Sequence, residues 1–94
     1  MATNLLEVTV RTPKKQIFQG HALAVSSTNS SGKFDILAEH ANFITIVQNQ
    51  PLEILTDGKM KVVFSFSQAI IYNSNNKVIV YADPATPITE TVKG

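Results

Sequence analysis

Hydrophobic and polar residues alternate with a period of two along most of this chain. In residues 6–11, the apolar side chains of Leu6, Val8 and Val10 fall on one side and polar side chains fall on the other. Alternation of this kind is typical of a strand that buries one face. No window of ten or more residues combines helical periodicity with caps, so the pattern predicts strands throughout.

Short strands separated by turn residues follow one another along the sequence. A proline at Pro13 ends the first strand, Gly20 closes the second, and a polar loop is predicted at residues 26–32. Beyond residues 6–11, we predict strands at residues 16–18, 22–25, 33–37, 43–47, 52–56, 60–66, 69–72 and 78–82. About eight to ten short strands indicate an all-β fold, a flattened antiparallel sandwich or barrel.

Two hairpin turns are predicted from turn residues between strand-like segments. Asp57-Gly58 separates two such segments and suits a two-residue type I′ turn, which needs positive φ at both positions. Residues 73–76 read Asn-Ser-Asn-Asn, and asparagine tolerates the left-handed region. The aromatic pair Phe64 and Phe66 shares one strand face and is expected in the core.

The composition is that of one small globular domain. The chain has 94 residues, of which 44% are hydrophobic and 16% charged. It has no cysteine, which excludes a disulfide, a thiolate metal site and a thiol nucleophile. We expect a domain at residues 1–84 and a flexible C-terminal tail at residues 85–94.

The charge distribution argues against nucleic acid as a partner. Eight basic and seven acidic residues give a net charge of +1, and no charge run exceeds Lys14-Lys15. A nucleic-acid-binding domain usually carries a basic stripe. Because the sequence has neither a secretory signal nor an apolar segment of about 20 residues, we expect a soluble intracellular protein.

No motif for catalysis or for cofactor binding is present. His21 and His40 are the only imidazoles, and no further ligands stand at a recognisable metal-binding spacing from them. The serines lack a nucleophile-elbow motif, and no glycine-rich phosphate loop occurs. We therefore predict no catalytic, cofactor-binding or metal-binding residues, and a non-enzymatic domain that acts through its surfaces.

One segment carries a family resemblance. Residues 32–41, GKFDILAEHA, resemble the signature of the ε subunit of F-type ATP synthases. The similarity extends without gaps over about residues 5–84. The matching positions are Thr12-Pro13, Phe18-x-Gly20, Thr45, Ser67 and Val78-x-Val80-x-Ala82-Asp83. These positions follow the family pattern in both order and spacing.

The chain departs from the family pattern in its turns and in its length. Asp35 replaces a glycine, Ala38-Glu39 replaces Pro-Gly, and Asn42 replaces a proline. Because glycine accepts backbone conformations that other residues resist, we expect these turns to differ in detail. Residues 84–94 are too few for the helical hairpin with which the family continues. Helix-mediated inhibition and ATP sensing are therefore expected to be absent from this chain.

The resemblance implies a mechanical role and no chemistry. It implies a β-sandwich at the foot of a rotor, packed on the γ subunit and on the polar loops of the c-ring, coupling ring rotation to γ during proton-driven ATP synthesis. It implies partner contacts for Lys33, Phe34, His40 and Thr45, no cofactor, and a peripheral position on the cytoplasmic face of the plasma membrane. Since Lys33 stands where the family commonly has an acid, we expect its c-loop partner to carry a compensating acid.

Two other classes of function stay open from the sequence. The first is a stand-alone β-sandwich module that binds another protein and has no affinity for γ. The second is a small β enzyme, which would need a concave polar pocket that holds His21 or His40 beside an acid. A hydrogen bond that merely stabilises the loop is the competing explanation for His40.

Overall fold

Nine strands form within residues 5–83 and 89–93, the part of the chain that the computed structural model describes. The predicted all-β fold of eight to ten strands is confirmed. The strands are β1 (Leu6–Arg11), β2 (Gln16–Asn29), β3 (Gly32–Leu37), β4 (Phe43–Gln48), β5 (Pro51–Thr56), β6 (Lys61–Ser65), β7 (Gln68–Ser74), β8 (Lys77–Ala82) and β9 (Thr89–Lys93).

The strands belong to one continuous sheet that curls back on itself. Its order is β4-β7-β8-β1-β2-β5-β6-β9, and β3 pairs with β2 outside this path. Every pairing is antiparallel except that of β1 with β8, which is parallel. The first half of β2 pairs with β1, and its second half lies between β3 and β5. Strand β2 therefore connects two groups of strands, which face each other as the layers of a sandwich.

The core consists of the inward-facing side chains of both layers. As predicted, Leu6, Val8 and Val10 are fully buried, and so is Phe64, the largest fully buried side chain. The Phe64 ring meets Phe18 edge to face with 6.0 Å between the ring centroids, so the two layers contact each other directly. Burial of apolar surface contributes about 25 cal/mol per Å² to the free energy of unfolding, so this core is the main source of stability.

Strand β2 corrects the prediction of two short strands closed by Gly20. It runs without interruption for 14 residues, and Gly20 lies within it, opposite Val8. The predicted polar loop at residues 26–32 shrinks to a turn at Ser30 and Ser31. The polar end of β2 remains a strand because β3 and β5 pair with it on both sides. Tertiary pairing of this kind overrides local turn propensity.

The type I′ turn lies in the second hairpin, and its prediction for Asp57-Gly58 is wrong. Asn75 and Asn76 link β7 to β8 with φ of 52° and 64°. In the other hairpin Lys59 has the positive φ, 66°, and its N–H donates to the carbonyl of Thr56. Residues 57–60 thus form the loop between β5 and β6, in which a turn is followed by the left-handed residue Lys59.

The segment predicted to be a flexible tail contains a strand. Thr89–Lys93 forms β9, which pairs antiparallel with β6. The rest of the predicted tail, residues 85–88 and 94, lies outside the described residues. The open edge of β6 provides partners for the backbone hydrogen bonds of β9. The local sequence of β9 gives no sign of this partner strand.

The loop geometry yields a test based on two glycines. We expect Gly58→Ala to leave the free energy of unfolding unchanged or to raise it by up to about 1 kcal/mol, because the backbone there needs no positive φ. Gly32→Ala is the matched contrast, since Gly32 has a φ of 121°. There we expect a loss of about 1–3 kcal/mol. Urea unfolding measures both, and a loss at Gly58→Ala as large as at Gly32→Ala would contradict the assigned turn.

Candidate protein-docking surface

Two of the four predicted contact residues, Lys33 and Phe34, lie on opposite faces of β3. Lys33 is exposed on the outer face, whereas Phe34 is half-buried and packs against the core. The Phe34 ring meets Phe43 edge to face with 6.0 Å between centroids. The charge of Lys33 is therefore exposed to solvent, while Phe34 mainly supports the start of β4.

His40 is exposed in the loop between β3 and β4, and local contacts fix its ring. Its Nδ1 lies 2.8 Å from the carbonyl oxygen of Ala41, and its ring centroid lies 5.1 Å from that of Phe43. A carbonyl oxygen can only accept a hydrogen bond, so Nδ1 carries the proton in this contact. The other ring nitrogen, Nε2, takes no part in this bond. The predicted loop-stabilising hydrogen bond and a contact role are therefore compatible.

Thr45, the fourth predicted residue, is half-buried on the inner side of β4. Its hydroxyl oxygen accepts a hydrogen bond of 2.9 Å from the side-chain amide of Asn29, at the end of β2. This contact joins the two layers of the sandwich beside β4. The contact roles predicted for Lys33, Phe34, His40 and Thr45 stay predictions.

The loop that carries His40 is tied to the β7–β8 turn by reciprocal hydrogen bonds. The backbone N–H of Glu39 donates to Oδ1 of Asn76 at 2.7 Å, and Nδ2 of Asn76 donates to Oε2 of Glu39 at 2.8 Å. The Asn75 N–H donates to the Asn42 side chain at 3.0 Å. Glu39 has a φ of 69°, at a position where the family resemblance leads us to expect glycine. These bonds offset the strain of a non-glycine residue there.

The outer side of the sheet has an apolar face that the sequence pattern did not predict. Four exposed hydrophobic side chains lie on the outer side of β4, β7 and β8: Ile44 is 65% exposed, Ile46 52%, Tyr81 42% and Tyr72 38%. The tyrosine rings meet edge to face with 5.5 Å between centroids. The missed signal was the presence of apolar residues at successive positions of these strands, which places apolar side chains on both faces.

The strand register joins these residues into two rows. In one row Ile46 lies opposite Ile70, and Ile70 lies opposite Tyr81. In the other row Ile44 lies opposite Tyr72, and Tyr72 lies opposite Ile79. We call this surface the apolar face; it comprises Ile44, Ile46, Ile70, Tyr72, Ile79 and Tyr81. A contiguous apolar surface of this kind on a small domain marks an interaction site.

Other candidate chemistry finds little support in the described residues. His21 is exposed and lies opposite Glu7 in the β1–β2 register. Within residues 5–83 and 89–93, no three histidine or acidic side chains converge as metal ligands. In the same ranges, no helix is long and apolar enough to cross a lipid bilayer.

Comparison with protein families gives one match that covers most of the chain. Residues 5–88 match the model of the ATP synthase delta/epsilon chain, β-sandwich domain. Among curated relatives, the ATP synthase epsilon chain of Sulfurimonas denitrificans is 29% identical over 83 residues, which cover 88% of this chain and 64% of the relative. That of Clostridium botulinum is 35% identical over 75 residues, 79% of this chain and 55% of the relative. The chain thus spans little more than half the length of these relatives.

Solved structures confirm the fold. A chain of the mitochondrial ATP synthase of Euglena gracilis, solved as an OSCP/F1/c-ring assembly, superposes with a TM-score of 0.81 at 17% identity. The match covers 94% of this chain and 54% of the other. A chain of the central stalk and c-ring of the Tetrahymena thermophila mitochondrial ATP synthase gives 0.66 at 17% identity, covering 89% and 65%. At this identity the likeness concerns the fold alone.

The bonds between loop and turn predict how the His40 loop responds to substitution. Asn76→Gly keeps the freedom for a positive φ but deletes both side-chain bonds to Glu39. We expect the Glu39 amide to exchange with solvent about 10 times faster, as the loss of roughly 1–1.5 kcal/mol of hydrogen bonding implies. Asn75→Gly is the control, because Asn75 bonds the loop through its backbone. Equal exchange rates in the two variants, measured by NMR, would contradict the role of Asn76.

Proposed function

Because the chain belongs to the family of ATP synthase delta/epsilon β-sandwich domains, we propose that it serves as the ε subunit of a rotary F-type ATP synthase. In this role it is a part of the central stalk that couples rotation of the c-ring to the γ subunit during proton-driven ATP synthesis. It performs no chemistry itself and needs no cofactor. It lies peripherally, on the cytoplasmic face of the plasma membrane.

The apolar face is the observation that carries this proposal. Its two rows hold exposed isoleucine and tyrosine side chains with no cover among the described residues. Exposed tyrosines supply large contact area with few rotatable bonds, and aromatic residues are enriched at the energetic centres of interfaces. The face therefore suits a lasting contact with another subunit, and we assign it to γ.

The end of the sandwich that carries the β3–β4 loop suits the polar loops of the c-ring. The β3–β4 loop presents the exposed His40, and Lys33 is exposed at the opposite end of β3, next to the β2–β3 turn, whereas the apolar face has no charged member. Bonds from Asn75 and Asn76 hold the loop in one conformation. Phe34 and Thr45 lie behind these groups and would reach a partner through their exposed parts.

Transmission of torque needs a body that moves as one piece. In this domain β2 takes part in both layers, and the Asn29–Thr45 hydrogen bond fastens β4 to the end of β2. A closely packed core has low compressibility and transmits strain. A force applied at the β3–β4 loop is therefore passed through the sandwich to the apolar face with little deformation.

Substitutions on the apolar face test the contact with γ. We expect Tyr72→Lys to weaken the complex with co-expressed γ about 30-fold, since a residue at an energetic centre contributes about 2 kcal/mol or more. Met60→Lys is the control, because Met60 is 42% exposed but lies in the β5–β6 loop. Binding is measured by titration of the purified subunits, and unfolding curves check that both variants fold.

Two outcomes of that titration would contradict the proposal. If the unsubstituted chain and γ form no complex at micromolar concentrations, the chain is a stand-alone binding module with another partner. If Tyr72→Lys and Met60→Lys weaken the complex equally, γ binds elsewhere. His40→Ala extends the test to the loop, where we expect a smaller loss.

The charge of Lys33 predicts the chemistry of its c-loop partner. If that loop carries an acid, Lys33→Glu weakens docking to the c-ring by up to about 1 kcal/mol at low salt. The effect shrinks as salt is raised, because screening acts most on exposed charges. Lys33→Gln should show an intermediate effect. Tighter docking of Lys33→Glu at low salt would show a basic c-loop and contradict the expected acid.

A further inference from the structure

Strand β4 has an open edge. All six of its residues pair with β7, and no strand of the described residues pairs with its other side. Unpaired backbone groups along such an edge can bond to a strand from another chain. In β4 these groups belong to alternate residues.

The hydrogen-bond pattern identifies these groups. The N–H of Asn49, directly after β4, donates to the carbonyl of Ser67 at 2.8 Å, so the backbone N–H of residue 49 points towards β7. Antiparallel strands alternate the direction of their backbone groups from one residue to the next. Residues 47, 45 and 43 therefore also bond to β7. Gln48, Ile46 and Ile44 direct their N–H and C=O groups away from it, to the open edge.

The open edge of β4 lacks the features that usually prevent pairing. Its sequence, FITIVQ, contains no charged residue and no proline. Among the described strands, β3 also pairs on one side only, with β2, but it carries exposed Lys33 and Asp35. Charged side chains discourage association along an edge, whereas a bare apolar edge invites it. The contrast between two edges of the same domain indicates that the β4 edge is covered in the assembled protein.

A groove lies beside the second half of the open edge, where it leaves room for a short extended segment. It has a volume of about 410 Å³ and is open to solvent. Ile46 and Gln48 form one wall, and Thr28, Asn29 and Ser30 at the end of β2 contribute polar groups to the other. No charged residue lines it. An uncharged segment with free backbone donors and acceptors matches this lining.

We infer that an extended segment of the γ subunit adds to β4 as a further strand and occupies this groove. The inference rests on the proposed function. The added strand bonds to the backbone of Ile44, Ile46 and Gln48, and it places apolar side chains at alternate positions, level with Ile44 and Ile46. The apolar face then continues onto γ without a break, so that one partner covers both the edge and the face.

A second copy of this chain fits the surface less well. Two β4 strands paired about a two-fold axis would extend the sheet sideways. That arrangement would leave Tyr72 and Tyr81 exposed in both copies. A γ segment joined to the rest of that subunit can cover the edge and the tyrosines together, which is why we assign the edge to γ.

The experiment uses proline at a position that points outwards. Gln48→Pro removes one N–H from the open edge and spares the apolar face and the β4–β7 hydrogen bonds. Edge strands tolerate proline at such an outward-pointing position. We expect it to weaken the γ complex at least about tenfold, while Gln48→Ala, which keeps the N–H, stays within about threefold. The N–H of Thr45 points towards β7, so Thr45→Pro breaks a β4–β7 hydrogen bond and should lower the stability of the isolated chain. A melting curve of each variant separates misfolding from lost binding.

Amide exchange gives a second readout that needs no substitution. When γ binds, the amides of Ile44, Ile46 and Gln48 should slow by about 100-fold or more, whereas those of residues 43, 45 and 47 are already slow in the isolated chain. If the outward amides keep their rates and Gln48→Pro binds normally while Tyr72→Lys does not, the strand addition is overturned and the proposed function stands. Self-association in the ultracentrifuge that Gln48→Pro abolishes would assign the edge to a second copy and overturn γ as its occupant.

Discussion

Strand β2 pairs with three other strands, and this pairing joins the two layers of the sandwich into one structure. Its first half completes the layer of β1 and β8, and its second half lies between β3 and β5. A register irregularity between Ala22 and Ala24 lies where the strand changes from one set of partners to the other. Because one strand takes part in both layers, their inward side chains form a single core. The end of β2 then reaches β4, where Asn29 bonds to Thr45.

The same arrangement separates two kinds of surface. The loop end of the sandwich is polar, and asparagine side chains hold it by hydrogen bonds that need exact distances. The outer side of β4, β7 and β8 is apolar. It contributes hydrophobic free energy only when another surface covers it and removes it from water. A rotor component needs both, since it must hold one partner firmly and meet another through adjustable polar contacts. The division of the surface thus agrees with the proposed role.

Much of the inner architecture could be predicted from the sequence, because alternation fixes which side chains face inwards. Leu6, Val8 and Val10 are examples, and so is Ile36 in the resembling segment. The continuity of β2 could not be predicted, since Gly20 and the serines are locally typical of turns and only their partner strands keep them extended. Of the two predicted hairpin turns, the one in residues 73–76 has the expected left-handed asparagines, Asn75 and Asn76, which bond to the neighbouring loop, whereas Asp57-Gly58 has no positive φ. The apolar face was missed because its members come from three strands and become neighbours only through the register.

Solvent labelling of the tyrosines is a direct test of the proposal that γ covers the apolar face. Hydroxyl-radical footprinting would compare Tyr72, Tyr81 and Met60 in the isolated chain with the same residues in the complex with γ and the c-ring. All three side chains are accessible in the isolated domain. We predict that labelling of both tyrosines falls sharply in the complex while Met60 stays labelled. Unchanged tyrosine labelling in a complex that demonstrably contains the chain would contradict the account.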